Sequence, residues 1–148
     1  MKLIKTIAGE ILLYLYWIQR KDYNRINDII LEFNLYSPVD EEILVRRNES
    51  IFNVDKFIEC SDNDLYNAII YLRDSQLIKY NESKDNCGVS MVSFEVTSNG
   101  VDLIEGIERG EKEKREFNII FNFNITNDIT VESLLKMELG SLIKNSIL

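Results

Sequence analysis

The sequence predicts an α+β fold, mainly helical, and three observations carry that prediction. In residues 3–20, Leu3, Ile4, Ile7, Ile11, Tyr14, Leu15 and Ile18 recur at i, i+3, i+4 and i+7, the spacing of one apolar helix stripe. Residues 89–96 and 117–125 instead alternate apolar and polar side chains, the period of a half-buried strand. Between the periodic segments lie capping and turn clusters, Ser61-Asp62-Asn63-Asp64, Lys84 to Gly88, and Thr97-Ser98-Asn99-Gly100. With 148 residues, 45% of them hydrophobic, the chain has the size of about one domain and can bury a core.

The first helix spans Leu3 to about Arg20, and Leu12, Leu13 and Trp17 widen its apolar surface beyond one stripe. A buried scaffold helix is the plainer reading; a dimer helix is the alternative. Tyr23 to Leu35 repeats the helical period with Ile26, Ile29, Ile30 and Phe33. Ser37-Pro38 then reads as a helix start, followed by Asp40-Glu41-Glu42 at the positive helix end. Ile43, Leu44 and Val45 would form the buried side of that short helix. Arg46-Arg47 would lie near its C-terminus, where cations are favoured; a phosphate contact is the sharper reading. Ile51-Phe52 suggests a short strand, and Asn53 a cap for a helix over 54–60.

Residues 61–64 supply cap residues for the next helix, Leu65 to Ser75. Leu65, Ala68, Ile69 and Leu72 share one face of it, while Asn63, Asn67, Ile70, Tyr71 and Asp74 point largely the other way. A strand begins within Gln76 to Tyr80, a polar turn occupies Asn81 to Gly88, and Val92, Phe94 and Val96 alternate with Ser93 and Glu95. Thr97-Ser98 starts a helix carrying Val101, Leu103, Ile104 and Ile107. The charge run Gly110 to Arg115 reads as a hinge that divides residues 1–110 from an extension over 111–148. In that extension Phe117, Ile119, Phe121, Phe123 and Ile125 predict a strand, and Thr130 caps a final helix with Val131, Leu134, Leu135, Leu142 and Ile143. A lone strand of this kind must pair, by default within its own chain.

Composition narrows function. The chain has no histidine, which removes the usual zinc ligand sets and the Ser-His and Cys-His nucleophile pairs. No glycine-rich phosphate loop or metal-ligand spacing is present, so neither an enzyme nor a cofactor is expected. Cys60 and Cys87, without secretory context, read as reduced and structural. The longest apolar run, Ile11 to Ile18, falls far short of the roughly 20 residues that cross a bilayer. A signal peptide is faintly imitated at the start, but Glu10 interrupts it, and a cytoplasmic protein is expected. Net charge is −8: eight basic against ten acidic residues in 1–60, four against nine in 61–110, and five against six in 111–148. The middle segment is thus the most acidic.

The run from Asn53 to Gly100 resembles the winged helix-turn-helix superfamily, in particular small PadR- and MarR-like regulators. The resemblance rests on Asp64 to Ile78 and, past the turn, on Phe94-Glu95-Val96-Thr97-Ser98-Asn99-Gly100. Gln76 stands where the family has a helix-ending glycine, and Val96 replaces a leucine. The resemblance implies a winged-helix core with extra N-terminal helices and a recognition helix over 63–74. It also implies double-stranded DNA as partner. Asn63 and Asn67 could then bond adenine edges, Tyr71 would also contact the DNA, and Arg73, Lys79, Lys84, Arg46 and Arg47 would lie at phosphates. The acidity of 61–110 supports an alternative, a protein-interaction module that does not bind DNA. Its contact face would be Asp62, Asp64, Tyr66, Ile70 and Asp74, docking a basic protein that it would inhibit if that partner binds nucleic acid. A homodimer through the Leu3–Arg20 helix or the 117–148 extension is compatible with either function.

Overall fold

The computed structural model describes residues 3–21, 26, 29–35, 43–47, 60–85, 88–126 and 130–136. In chain order the elements are α1 (Ile4–Lys21), β1 (Leu31–Leu35), β2 (Ile43–Arg47), α2 (Asp62–Asp74), β3 (Ile78–Lys84), β4 (Gly88–Val96), α3 (Ser98–Glu105), a 3₁₀ turn (Gly106–Glu108), α4 (Glu111–Phe121) and α5 (Val131–Lys136). The class is α+β and mostly helical.

Helix α1 is the centre of the molecule. Every residue from Thr6 to Tyr16 is buried, so the apolar surface that looked too wide for one stripe is covered all round. It packs on α2, β4, α3, α4 and α5. That stretch leaves no face for a second copy, which removes α1 as a dimer helix. Its C-terminal turns tie down two other elements. The Gln19 amide accepts the Val96 N–H at 2.8 Å and donates to the Val96 carbonyl at 3.3 Å. The Tyr16 hydroxyl donates to Glu105 at 2.8 Å and accepts from Arg20 at 3.2 Å.

The sheet is four-stranded and antiparallel, in the order β2-β1-β4-β3. Two of its strands were expected to be helical. Leu31 and Phe33 are buried and Glu32 exposed, so the local period is 2, and β1 pairs with β4 through Leu31 opposite Met91 and Phe33 opposite Val89. Residues 43–47 form β2, not a helix, with Arg46 opposite Glu32 and Arg47 opposite Leu31. Ile-Leu-Val favours a strand as readily as a helix, and a neighbouring strand with an open edge decides between them. The expected helix start at 37–42, strand at 51–52 and helix at 54–60 lie outside the described residues, apart from Cys60, which is not helical.

The β3–β4 hairpin runs further than its composition suggested. Strand pairing continues to Lys84 opposite Val89, so residues 81–84 join β3 and the turn begins only at Asp85. Asp85 holds it: its carboxylate accepts the Gly88 N–H at 2.9 Å and its own N–H donates to the Gly88 carbonyl at 3.0 Å. A bulge interrupts the register between Lys79 opposite Glu95 and Asn81 opposite Val92. Its extra residue leaves Ser93 at φ 59° and changes which side chains face inward. Val89, Met91, Phe94 and Val96 are buried; Val92, expected inside, is only half-buried.

Helix α2 is capped as its sequence implied, with Ser61 Oγ accepting the Asp64 N–H at 3.1 Å. It ends in a Schellman turn: Leu77 N–H reaches Leu72 O at 3.0 Å and Gln76 N–H reaches Arg73 O at 2.9 Å. Gln76 therefore sits at φ 62°, a left-handed position that suits glycine. Replacing Gln76 by Gly is expected to stabilise the fold by about 0.5–1 kcal/mol, the left-handed strain relieved less the added chain entropy. Thermal denaturation checks this; an unchanged or lower midpoint would refute it.

The C-terminal region departs most from expectation. The charge run is no hinge: Glu111 to Arg115 opens α4, with Glu111 and Glu113 in its first turn. The strand expected over 117–125 is helix as far as Phe121. Phe117 and Phe121, i and i+4, are both fully buried, whereas Ile119, on the same strand face, is 62% exposed. Asn122 stops the helix at φ 57°. The Asn118 amide then takes the place of a partner strand, donating to Ile125 O at 3.0 Å and accepting Ile125 N–H at 2.9 Å. Phe117, Phe121 and Phe123 pack together, with ring centroids 4.8 and 5.6 Å from Phe117, and join the core. Thr130 caps α5 reciprocally with Ser133. Leu142 and Ile143 lie outside the described residues.

Candidate functional site

The candidate site is built from α2 and the hairpin beside it. Leu65, Ala68, Ile69 and Leu72 are buried against the core, which fixes the opposite face of α2 outward. On that face Asn63 and Asn67 are exposed, Ile70 and Tyr71 are half-buried, and Asp74 is exposed. Neither asparagine amide is engaged by another described residue. Tyr66 is half-buried like Ile70 and Tyr71, and its ring meets Phe33 of β1 edge-on, centroids 4.9 Å apart. Asp62 and Asp64 are half-buried in the first turn, where the helix dipole favours them.

The cations are in a different state. Arg73, though exposed, is turned toward its own chain. Its Nε and Nη2 donate to Asp74 Oδ1 at 3.2 Å, its Nη1 donates to the Tyr80 hydroxyl at 3.2 Å, and Glu82 lies at 3.8 Å. Partial burial acts to lower the guanidinium pKa, but Tyr80 and Asp74 outweigh it and hold it above its ordinary value. Burial raises the pKa of Tyr80 itself, against the opposing pull of Arg73. Lys79 pairs with Glu95 at 3.7 Å and Lys84 with Glu82 at 3.8 Å. Each cation of α2 and the hairpin thus has a carboxylate partner. Over residues 60–96 the chain carries six acidic and three basic side chains. Such exposed pairs are worth no more than about 1 kcal/mol each.

Arg46 and Arg47 belong to β2, the edge strand of the sheet, and β2 contacts α2. Glu82, Glu95 and Tyr80, the groups that hold the cations, escaped the sequence reading. The Glu82–Lys84 pair could have been found, because i and i+2 share a strand face. The Lys79–Glu95 pair could not, because it depends on a register set by the bulge. Elsewhere, a surface groove of about 250 Å³ is lined by Asn99, Asp102, Leu103, Gly106, Arg109, Glu113 and Glu116, with Arg109 held by Asp102 at 3.2 Å. Among the described residues no group of three acidic or cysteine side chains could hold a metal ion, and no helix is long and apolar enough to cross a membrane.

No protein-family model, curated protein or solved structure matches the chain.

Proposed function

We propose that this chain is a non-enzymatic winged-helix protein that binds double-stranded DNA as a regulator of transcription, with α2 as its reading element. The reading is supported by a helix that leads directly into a hairpin, with β1 paired to the second arm of that hairpin; β2, between β1 and α2, lies at the sheet edge. The observation that carries it is the pair of unengaged, exposed amides of Asn63 and Asn67 on one face of a helix anchored by the other. Base contacts then dominate over phosphate contacts, since the cations of α2 and the hairpin are already paired.

The salt dependence of binding measures that balance. Affinity for duplex DNA scales with salt at a slope of about −0.9 per phosphate contact. Contacts from Arg46, Arg47, Arg73, Lys79 and Lys84 together would give about −4.5 per chain, whereas Arg46 and Arg47 alone would give about −2. The lower value is expected by fluorescence anisotropy across a salt series, with Arg46→Ala/Arg47→Ala flattening it further. No binding at low salt would sink the DNA reading.

The ion pairs favour a second reading, an acidic module that docks a basic protein. A face that neutralises its own cations and keeps a net negative charge is complementary to a positive partner and repels phosphate. In that case DNA binding is absent, and substituting Asp74 and Glu82 weakens capture of the partner.

A further inference from the structure

The side chains on the outward face of α2 differ in what they are free to do, and that difference bears on which bases the helix can read. This inference rests on the DNA reading above. Asn63 and Asn67 are four residues apart, exposed, and bonded to no described residue. An asparagine amide, with one acceptor and a donor side by side, matches the N6 and N7 edge of adenine. The guanine edge, with two acceptors, calls for arginine or lysine. The only arginine on α2, Arg73, is turned to the hairpin by Asp74, Tyr80 and Glu82. The next helical turn presents Ile70 and Tyr71, half-buried and apolar, the kind of surface that meets a thymine methyl group. Asp74, whose carboxylate could accept from cytosine, is engaged by Arg73.

We propose that the outward face of α2 selects A·T pairs in the major groove, Asn63 and Asn67 each reading an adenine and Ile70 and Tyr71 lying against thymine methyl groups. Four helical residues advance about 6 Å along the helix axis. The two adenines would therefore lie about two base-pair steps apart, at 3.4 Å per step along a strand.

The test is competition anisotropy at fixed low salt with four duplex pools: A·T-rich, G·C-rich, A·T-rich with uracil for thymine, and A·T-rich with 7-deazaadenine for adenine. The A·T-rich pool is expected to bind roughly 10- to 100-fold more tightly than the G·C-rich pool. Uracil should cost several-fold, because it removes only the major-groove methyl group, and 7-deazaadenine about 10-fold, because it removes the N7 acceptor. Asn63→Ala and Asn67→Ala should each shrink the preference about 10-fold, whereas Arg46→Ala should weaken all pools alike. Equal affinity for all pools, or a preference for G·C, would overturn the inference and leave the DNA reading standing. An A·T preference that survives both base analogues would also overturn it, since the minor groove would then be the source. Failure to bind any pool removes both readings together.

Discussion

Replacing Gly100 by alanine is expected to cost about 2 kcal/mol and to lower the melting temperature by roughly 4–8 °C. A Cβ on Gly100 would clash with the Leu77 carbonyl oxygen and stand 2.7 Å from Val96 Cγ1. Neither neighbour can move freely. Leu77 O accepts the Thr97 N–H at 3.0 Å, and Val96 is clamped at its backbone by Gln19. Thr97 also donates to Gln76 O at 2.7 Å while capping α3 through the Gly100 N–H at 3.1 Å. The end of α2 and the start of α3 therefore cross at Gly100, and only a hydrogen atom fits between them. In an open helix the same substitution would gain about 1 kcal/mol from propensity, so the expected sign depends wholly on the crossing. A variant that melts at or above the parent temperature would show that the Leu77 carbonyl can shift, and would refute the account.

Asn118→Leu is expected to cost about 2–4 kcal/mol, the largest effect foreseen for a single side chain. Its amide satisfies both backbone groups of Ile125, a residue only 4% exposed. Leucine keeps the volume but leaves a buried N–H and a buried C=O without partners, each worth about 1–3 kcal/mol. Asn118→Asp retains the acceptor for Ile125 N–H and loses the donor to Ile125 O, so it should fall between parent and leucine. Chemical denaturation of the three proteins orders them. A leucine variant as stable as the parent would mean that Ile125 finds other partners and that Asn118 does not hold the 122–126 segment.

Some of this structure was legible in the sequence because its signals are local. Helix α1 follows from an apolar period sustained over eighteen residues. The caps at Ser61 and Thr97 follow from hydroxyls placed three residues before an N–H they can accept, and both are seen. The exposed face of α2 was readable for the same reason: the apolar residues at 65, 68, 69 and 72 leave the asparagines nowhere else to point. Gln76 was recognised as a position where glycine would be usual, and its φ of 62° is the physical cause.

Where two periods fit the same residues, the sequence could not choose. Phe117 and Phe121 are two alternations apart on a strand and one turn apart on a helix. The core beside Gly9 admits them as a helix, since Phe121 lies where a Cβ at Gly9 would stand, 2.7 Å away. Residues 31–35 and 43–47 show the converse: an apolar period that suits a helix becomes a strand because β4 offers a pairing edge to β1, and β1 offers one to β2. The partner of Lys79 belongs to the same category, since the cross-strand register beside a one-residue bulge decides that it reaches Glu95.

What the sequence by itself determined, then, was the class of the fold, its caps, its central helix and the outward identity of Asn63 and Asn67. The tertiary structure alone decided strand against helix at 31–35, 43–47 and 117–121, and the cross-strand pairing of Lys79 with Glu95. The physical reason is range. Caps and amphipathic stripes are satisfied within one or two turns of the chain. Strand pairing, the crossing at Gly100 and the Lys79–Glu95 ion pair join residues that only the folded core brings together.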